Sequence, residues 1–125
     1  MTKERNKILF VDDDSELREI VREQLVAAGF VLDEAVDGDA AIARLTKDDY
    51  DLVLLDITMP GATGMEVLKF IKRKGLKCRV IMLTGMVGLS TAIDSVKLGA
   101  DDYITKPYHI DYLIASIRRS LERAQ

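Results

Sequence analysis

Cysteine and histidine are nearly absent from this chain, with one of each in 125 residues. The lone Cys78 excludes an internal disulfide framework and any cysteine-rich metal centre, so a packing role is expected for it. No apolar run approaches the roughly 20 residues needed to cross a bilayer. No long block of one charge, low-complexity tract or internal repeat occurs either. The net charge of −3 is too small for a field that favours nucleic acid. No glycine-rich loop follows the first apolar run, where acids instead would repel a nucleotide or flavin phosphate. Residues Met1 to Lys7 are too polar for a secretory signal, so a cytoplasmic protein is expected. What remains is a 48% hydrophobic composition of ordinary globular kind, in a length that suits one domain.

Within that length, short aliphatic runs alternate with helical periodicity, the pattern of βα units around a parallel sheet. The strand readings are Ile8 to Val11, Phe30 to Val36, Asp51 to Leu55, Arg79 to Leu83 and Asp102 to Thr105. The Asp33-Glu34 break in the second predicts an exposed sheet edge, and the unbroken third predicts burial on both faces. Leu17, Ile20, Val21, Leu25 and Ala28 define one face of a first helix, with Arg18, Glu19, Arg22 and Glu23 opposite. Asp14 is placed to cap it and Gly29 to end it. Ala41, Ile42 and Leu45 support a second helix, and Val67, Leu68 and Ile71 a third that closes near Gly75. Leu89, Ala92, Ile93 and Val96 stripe a fourth ending at Gly99, and Ile110, Leu113, Ile114, Ile117 and Leu121 stripe a fifth.

Four of the runs stop at residues able to handle a metal ion or a phosphoryl group. The first ends in Asp12-Asp13-Asp14, the third in Asp56, the fourth in Thr84-Gly85 and the fifth in Lys106-Pro107. In an open parallel sheet the carboxyl ends of the strands line one crevice, so these groups can meet there. Carboxylates crowded together repel, and a hard divalent cation such as magnesium removes the conflict. On residue type alone, the three acids fit a solvated turn before a helix as well as a site. Asp56 is a candidate nucleophile, because a carboxylate can attack phosphorus to give an acyl phosphate. Lys106 can meet a phosphate oxygen as a compact point charge, and Thr84 can donate a hydroxyl hydrogen bond.

Together these segments resemble the receiver domain of two-component response regulators. The resemblance rests on Val11-Asp12-Asp13-Asp14, on Leu55-Asp56 with Met59-Pro60-Gly61 and Gly64, on Leu83-Thr84-Gly85, and on Gly99-Ala100-Asp101-Asp102-Tyr103 with Lys106-Pro107. It implies a flavodoxin-like (βα)5 α/β fold, doubly wound, with a five-stranded parallel sheet of order 2-1-3-4-5 and helices on both faces. It implies a single receiver domain over residues 1–125, with a core from about Lys7 to Leu121, either standing alone or excised from a longer protein.

By the same resemblance, Asp56 accepts a phosphoryl group from the phosphohistidine of a sensor histidine kinase or phosphotransfer protein. Magnesium is held by Asp13, Asp56 and the backbone carbonyl of Thr58, with Asp12 acting largely through a coordinated water. Lys106 and Thr84 hold the phosphate oxygens, and the Lys106-Pro107 bond is cis. Thr84 and Tyr103 form the switch that alters the surface of the fourth helix, fifth strand and fifth helix. Thr58 and Met86 occupy positions that vary across the family and tune phosphate lifetime. The output partner is left open, a phosphorylation-linked dimer is compatible, and neither direct nucleic-acid binding nor membrane contact is implied.

The domain is then a phosphoacceptor, which promotes its own phosphorylation and dephosphorylation without a separate turnover substrate. The alternative is a magnesium-dependent aspartyl-phosphate phosphatase of haloacid dehalogenase type. Glu16 stands where that motif has Thr or Val, and no cap domain fits in the chain. His109 reads as a surface residue. Tyr108 and Tyr112 cover the core edge or belong to an exposed partner surface.

Overall fold

A computed structural model of the chain describes residues 6–57, 63–85, 89–106 and 108–122. Five strands and five helices alternate along it: β1 (Lys7–Val11), α1 (Ser15–Ala27), β2 (Val31–Ala35), α2 (Gly38–Lys47), β3 (Leu52–Asp56), α3 (Gly64–Arg73), β4 (Arg79–Thr84), α4 (Leu89–Lys97), β5 (Asp102–Thr105) and α5 (Ile110–Glu122). All neighbouring strands run parallel, in the order β2-β1-β3-β4-β5. This is the doubly wound, flavodoxin-like arrangement expected from the sequence.

The side chains of each strand alternate between faces, so one sheet serves two cores. Leu9, Val11, Val53, Leu55, Val80 and Met82 face Ala41 and Leu45 of α2 and Val67, Leu68 and Ile71 of α3. Ile8, Phe10, Leu52, Leu54, Ile81 and Leu83 face Val21 and Leu25 of α1 and Leu113 and Ile117 of α5. Every residue of β3 is buried, which is why its sequence is aliphatic without alternation. The edge strand β2 keeps Asp33 and Glu34 half-buried, and such charges discourage further strand pairing.

Local signals hold the elements in place. The Asp14 carboxylate accepts the Leu17 N–H at the start of α1, and Gly29 follows its end with φ +100°. Thr63 and Glu66 form a reciprocal capping box at the start of α3.

Two helices depart from the expected faces. Val21 and Leu25 form the buried line of α1, and Ile20, about 100° round the helix from Val21, is 59% exposed. Arg18, expected opposite the core, is instead half-buried against β2. On α4, Ser95 is fully buried whereas Ile93 and Val96 are exposed, so the apolar stripe looks outward. The side chains of Leu89 and Ala92 lie outside the description. The second and third strands also begin one residue later than expected, the third running on to Asp56.

Candidate functional site at the carboxyl end of the sheet

Strand order reverses between β1 and β3, and the crevice at their carboxyl ends is where an open α/β sheet holds its ligands. Asp12 follows β1 and is fully buried, while Asp13 beside it is exposed. Asp56 is the last residue of β3 and Thr84 the last of β4, and both are buried. Lys106 follows β5, and its backbone N–H donates to the Thr84 carbonyl at 2.6 Å, which aims the side chain back across the sheet.

The Lys106 ammonium bridges two carboxylates. Its Nζ lies 2.8 Å from Asp12 Oδ2 and 3.2 Å from Asp56 Oδ2. The other Asp12 oxygen, Oδ1, accepts the Asp14 N–H at 3.0 Å. Burial alone would lower the pKa of Lys106, but the hydrogen bond and charge of Asp12, then Asp56, outweigh it and raise the value. Asp12, Asp13 and Asp56 each offer a carboxylate oxygen within 4.8 Å of the others. Three clustered acids, two of them sharing one ammonium, leave excess negative charge in a cramped place. Hard oxygen donors in that number and spacing fit a small divalent cation that keeps several waters.

The start of α3 presses against this site. Gly64 N–H donates to the Ile57 carbonyl at 3.0 Å, and any Cβ at Gly64 would run into the backbone carbonyl of Asp56. The sequence marked Gly64 as a loop boundary and family position, and the structure adds this close approach.

The remaining expected residues fall as follows. Thr84 Oγ1 is 3.5 Å from the Gly85 carbonyl, a long contact. Tyr103 is 39% exposed on β5, with its N–H on Asp102 Oδ1. Thr58, Met86 and Pro107, and with Pro107 the geometry of the Lys106-Pro107 bond, lie outside the described residues. His109 is exposed. Cys78 is buried, which pushes its thiol up to about 11. Tyr108 packs on the α1/α5 core with its hydroxyl buried, whereas Tyr112 is exposed on α5. Burial first, and then the negative field of Asp12, Asp56 and Asp14, raises the Tyr108 pKa.

The sequence reading missed Arg18. Its Nη1 donates to the Asp12 carbonyl at 2.7 Å while its Nε pairs with Glu34 Oε1 at 3.3 Å. The available signal was the charged break at Asp33-Glu34, which offers a partner to an arginine on the neighbouring helix.

Comparison with known proteins settles the family. The response regulator receiver domain model matches residues 8–118. This chain belongs to that family. The receiver domain is 39% identical over 112 residues to the transcriptional regulatory protein DltR of Streptococcus agalactiae, covering 90% of this chain and 50% of DltR. It is 38% identical over 118 residues to the transcriptional regulatory protein ResD of Bacillus subtilis, covering 94% of this chain and 49% of ResD. The chain therefore spans about half the length of these curated relatives. Among solved structures, the receiver domain of the Francisella response regulator 1452 superposes with a TM-score of 0.90 at 29% identity, covering 97% of this chain and 100% of that one. The CheY-like receiver from Methanospirillum hungatei gives 0.87 at 31% identity, covering 94% of each. The chain is thus a receiver domain of the two-component response regulator type, and the phosphatase alternative finds no support. Among the described residues no helix is long and apolar enough to cross a membrane.

Proposed function

We propose that this receiver accepts a phosphoryl group on Asp56 and uses it to change the face formed by α4, β5 and α5. The observation that carries this is the Lys106 ammonium shared between Asp12 and Asp56, with Asp13 adjoining, where the strand order reverses. Asp13 and Asp56, with Asp12 close by, would hold magnesium. That ion supplies neutralisation of the carboxylates and of the incoming phosphoryl oxygens.

A carboxylate oxygen of Asp56 attacks the phosphorus of a phosphohistidine on a sensor histidine kinase or phosphotransfer protein. The O–P bond forms as the P–N bond breaks, and the freed imidazole nitrogen takes up a proton. Lys106, already 3.2 Å from Asp56, meets the new phosphoryl oxygens while keeping Asp12 paired. The acyl phosphate carries about −2 where the carboxylate carried −1, so a buried strand end gains about one negative charge and three acceptor oxygens. The Thr84 hydroxyl, beside Gly85 in this structure, turns to the phosphoryl group, and Tyr103 moves inward from its exposed position.

The readout is a shift between two packings of one fold. Ile93 and Val96 on α4, Tyr103 on β5 and Tyr112 on α5 give the responding face exposed apolar surface. Its partner is an output segment or a second receiver, the latter as a phosphorylation-linked dimer. The names of the transcriptional regulatory relatives support transcriptional control as the output, and a sensor kinase donor would go with a cytoplasmic location. The receiver promotes its own phosphorylation and dephosphorylation and has no separate turnover substrate.

Intact mass after incubation with magnesium and a small acyl-phosphate donor tests the reading. The wild type is expected to gain one phosphoryl group, dependent on magnesium and absent from Asp56→Asn. Equal uptake by the variant would place the phosphoacceptor elsewhere.

A further inference from the structure

Asp12 is engaged at four points, and one of them ties a helix side chain to its backbone. Its N–H donates to the Ala35 carbonyl of β2 at 3.2 Å, Oδ1 accepts the Asp14 N–H, and Oδ2 accepts from Lys106. Its backbone carbonyl accepts Arg18 Nη1 at 2.7 Å. That carbonyl belongs to the peptide linking Asp12 to Asp13, so holding it fixes the plane from which the Asp13 side chain departs. Asp13 is exposed, so the direction of its side chain depends strongly on the backbone it departs from.

Arg18 is itself held. Its side chain is 15% exposed, and its Nε pairs with Glu34 Oε1 at 3.3 Å. The other Glu34 oxygen takes the more exposed Arg22 at 3.0 Å. A planar guanidinium donates from Nη1 and Nε, two separate nitrogens held rigidly in one plane, whereas the donors of an ammonium all radiate from a single nitrogen on a flexible stem. The chain Glu34–Arg18–Asp12 carbonyl thus runs from the edge strand to the peptide next to Asp13.

We infer that Arg18 is a positioning residue for the divalent cation, setting the direction of Asp13 through the Asp12–Asp13 peptide, with Glu34 orienting its guanidinium. This rests on the receiver reading above. It differs from a plain strap between α1 and β2, which would affect folding but not metal affinity.

The test titrates magnesium into unphosphorylated wild type, Arg18→Met, Arg18→Lys, Glu34→Gln and Arg22→Met. Calorimetry gives the affinity, the Asp13 amide resonance gives the local geometry, and urea unfolding in metal-free buffer gives the stability. Arg18→Met is expected to weaken magnesium binding by about 10-fold, the scale of losing a residue that orients a ligand. Arg18→Lys and Glu34→Gln fall between it and wild type. Arg22→Met, which touches Glu34 only from the surface, stays within about twofold. Arg18→Met with Glu34→Gln is no weaker than Arg18→Met alone, because both changes break one chain.

Unchanged magnesium affinity in Arg18→Met with lowered stability would overturn the inference and leave a strap. Should Arg18→Met fail to fold, unchanged affinity and an unmoved Asp13 amide in both Arg18→Lys and Glu34→Gln would overturn it equally. A wild type that binds no magnesium would reject the metal-site reading itself, a failure visible before any variant is compared.

Discussion

Strand β3 is bounded by an aspartate at each end, and the two do opposite things. Asp51, just before it, accepts the Lys7 backbone N–H on Oδ2 at 2.8 Å and so finishes a backbone hydrogen-bonding pattern. Nearby, Asp101 does the same for the Val80 N–H at 2.8 Å and pairs with Arg79. At the other end, Asp56 shares one lysine with Asp12 and lies beside Asp13. Acids at the amino end are distributed over backbone donors and an arginine, whereas acids at the carboxyl end crowd one ammonium. Crowding leaves excess negative charge that the proposed cation would neutralise, and distribution does not. A carboxylate's company, more than its burial, separates a structural acid here from the proposed phosphoacceptor.

The sharpest way to break the comparison is to neutralise each aspartate in turn. Asp56→Asn should abolish phosphoryl uptake, while Asp51→Asn should retain it at the wild-type level, both read by intact mass. Lys106→Ala should leave magnesium affinity nearly unchanged yet slow phosphorylation by roughly 10²-fold, the scale for losing one electrophilic contact to a developing charge. Gly64→Ala should cost about 1–3 kcal/mol of stability through overpacking against the Asp56 carbonyl. Urea unfolding would show that loss, and an equal stability would mean the α3 start can shift away cheaply. Asp51→Ala should cost about 1 kcal/mol by stripping the Lys7 N–H of its partner.

The smallest effect concerns pH. The folded pKa of Lys106 is raised, so its ion pairing contributes fully below the unfolded lysine value of about 10.4. That contribution is lost as pH rises through the higher folded value. The stability gap between wild type and Lys106→Ala should therefore be level through neutral pH and shrink only in strong alkali. A gap that closed below pH 9 would mean that another group sets it.

Much of this was readable from residue order. Fully buried parallel strands demand continuous aliphatics, so β1, β3 and β4 stood out, and each candidate metal- or phosphate-holding residue closes a strand or follows one within two residues. The misreadings lie where one helix meets two environments. Ile20 fits an apolar stripe but sits on its shoulder, and Ile93 and Val96 turn outward because small Ser95 occupies the tight side of α4. Arg18 looked like a solvated charge, since a helical wheel does not show a neighbouring strand's carboxylate. The closeness of Gly64 to Asp56 depends on how α3 enters the sheet, which local pattern does not encode.

The contact between Lys106 and Asp12 spans 94 positions of chain. During synthesis the lysine emerges long after the acids it pairs with, and only a closed fifth strand delivers it to them. Contacts so distant in sequence form late, after shorter loops have closed. An unfinished chain thus carries its acids without their cation. The complete constellation exists only once the whole sheet is assembled, so a half-made domain lacks the site proposed to meet a phosphoryl donor.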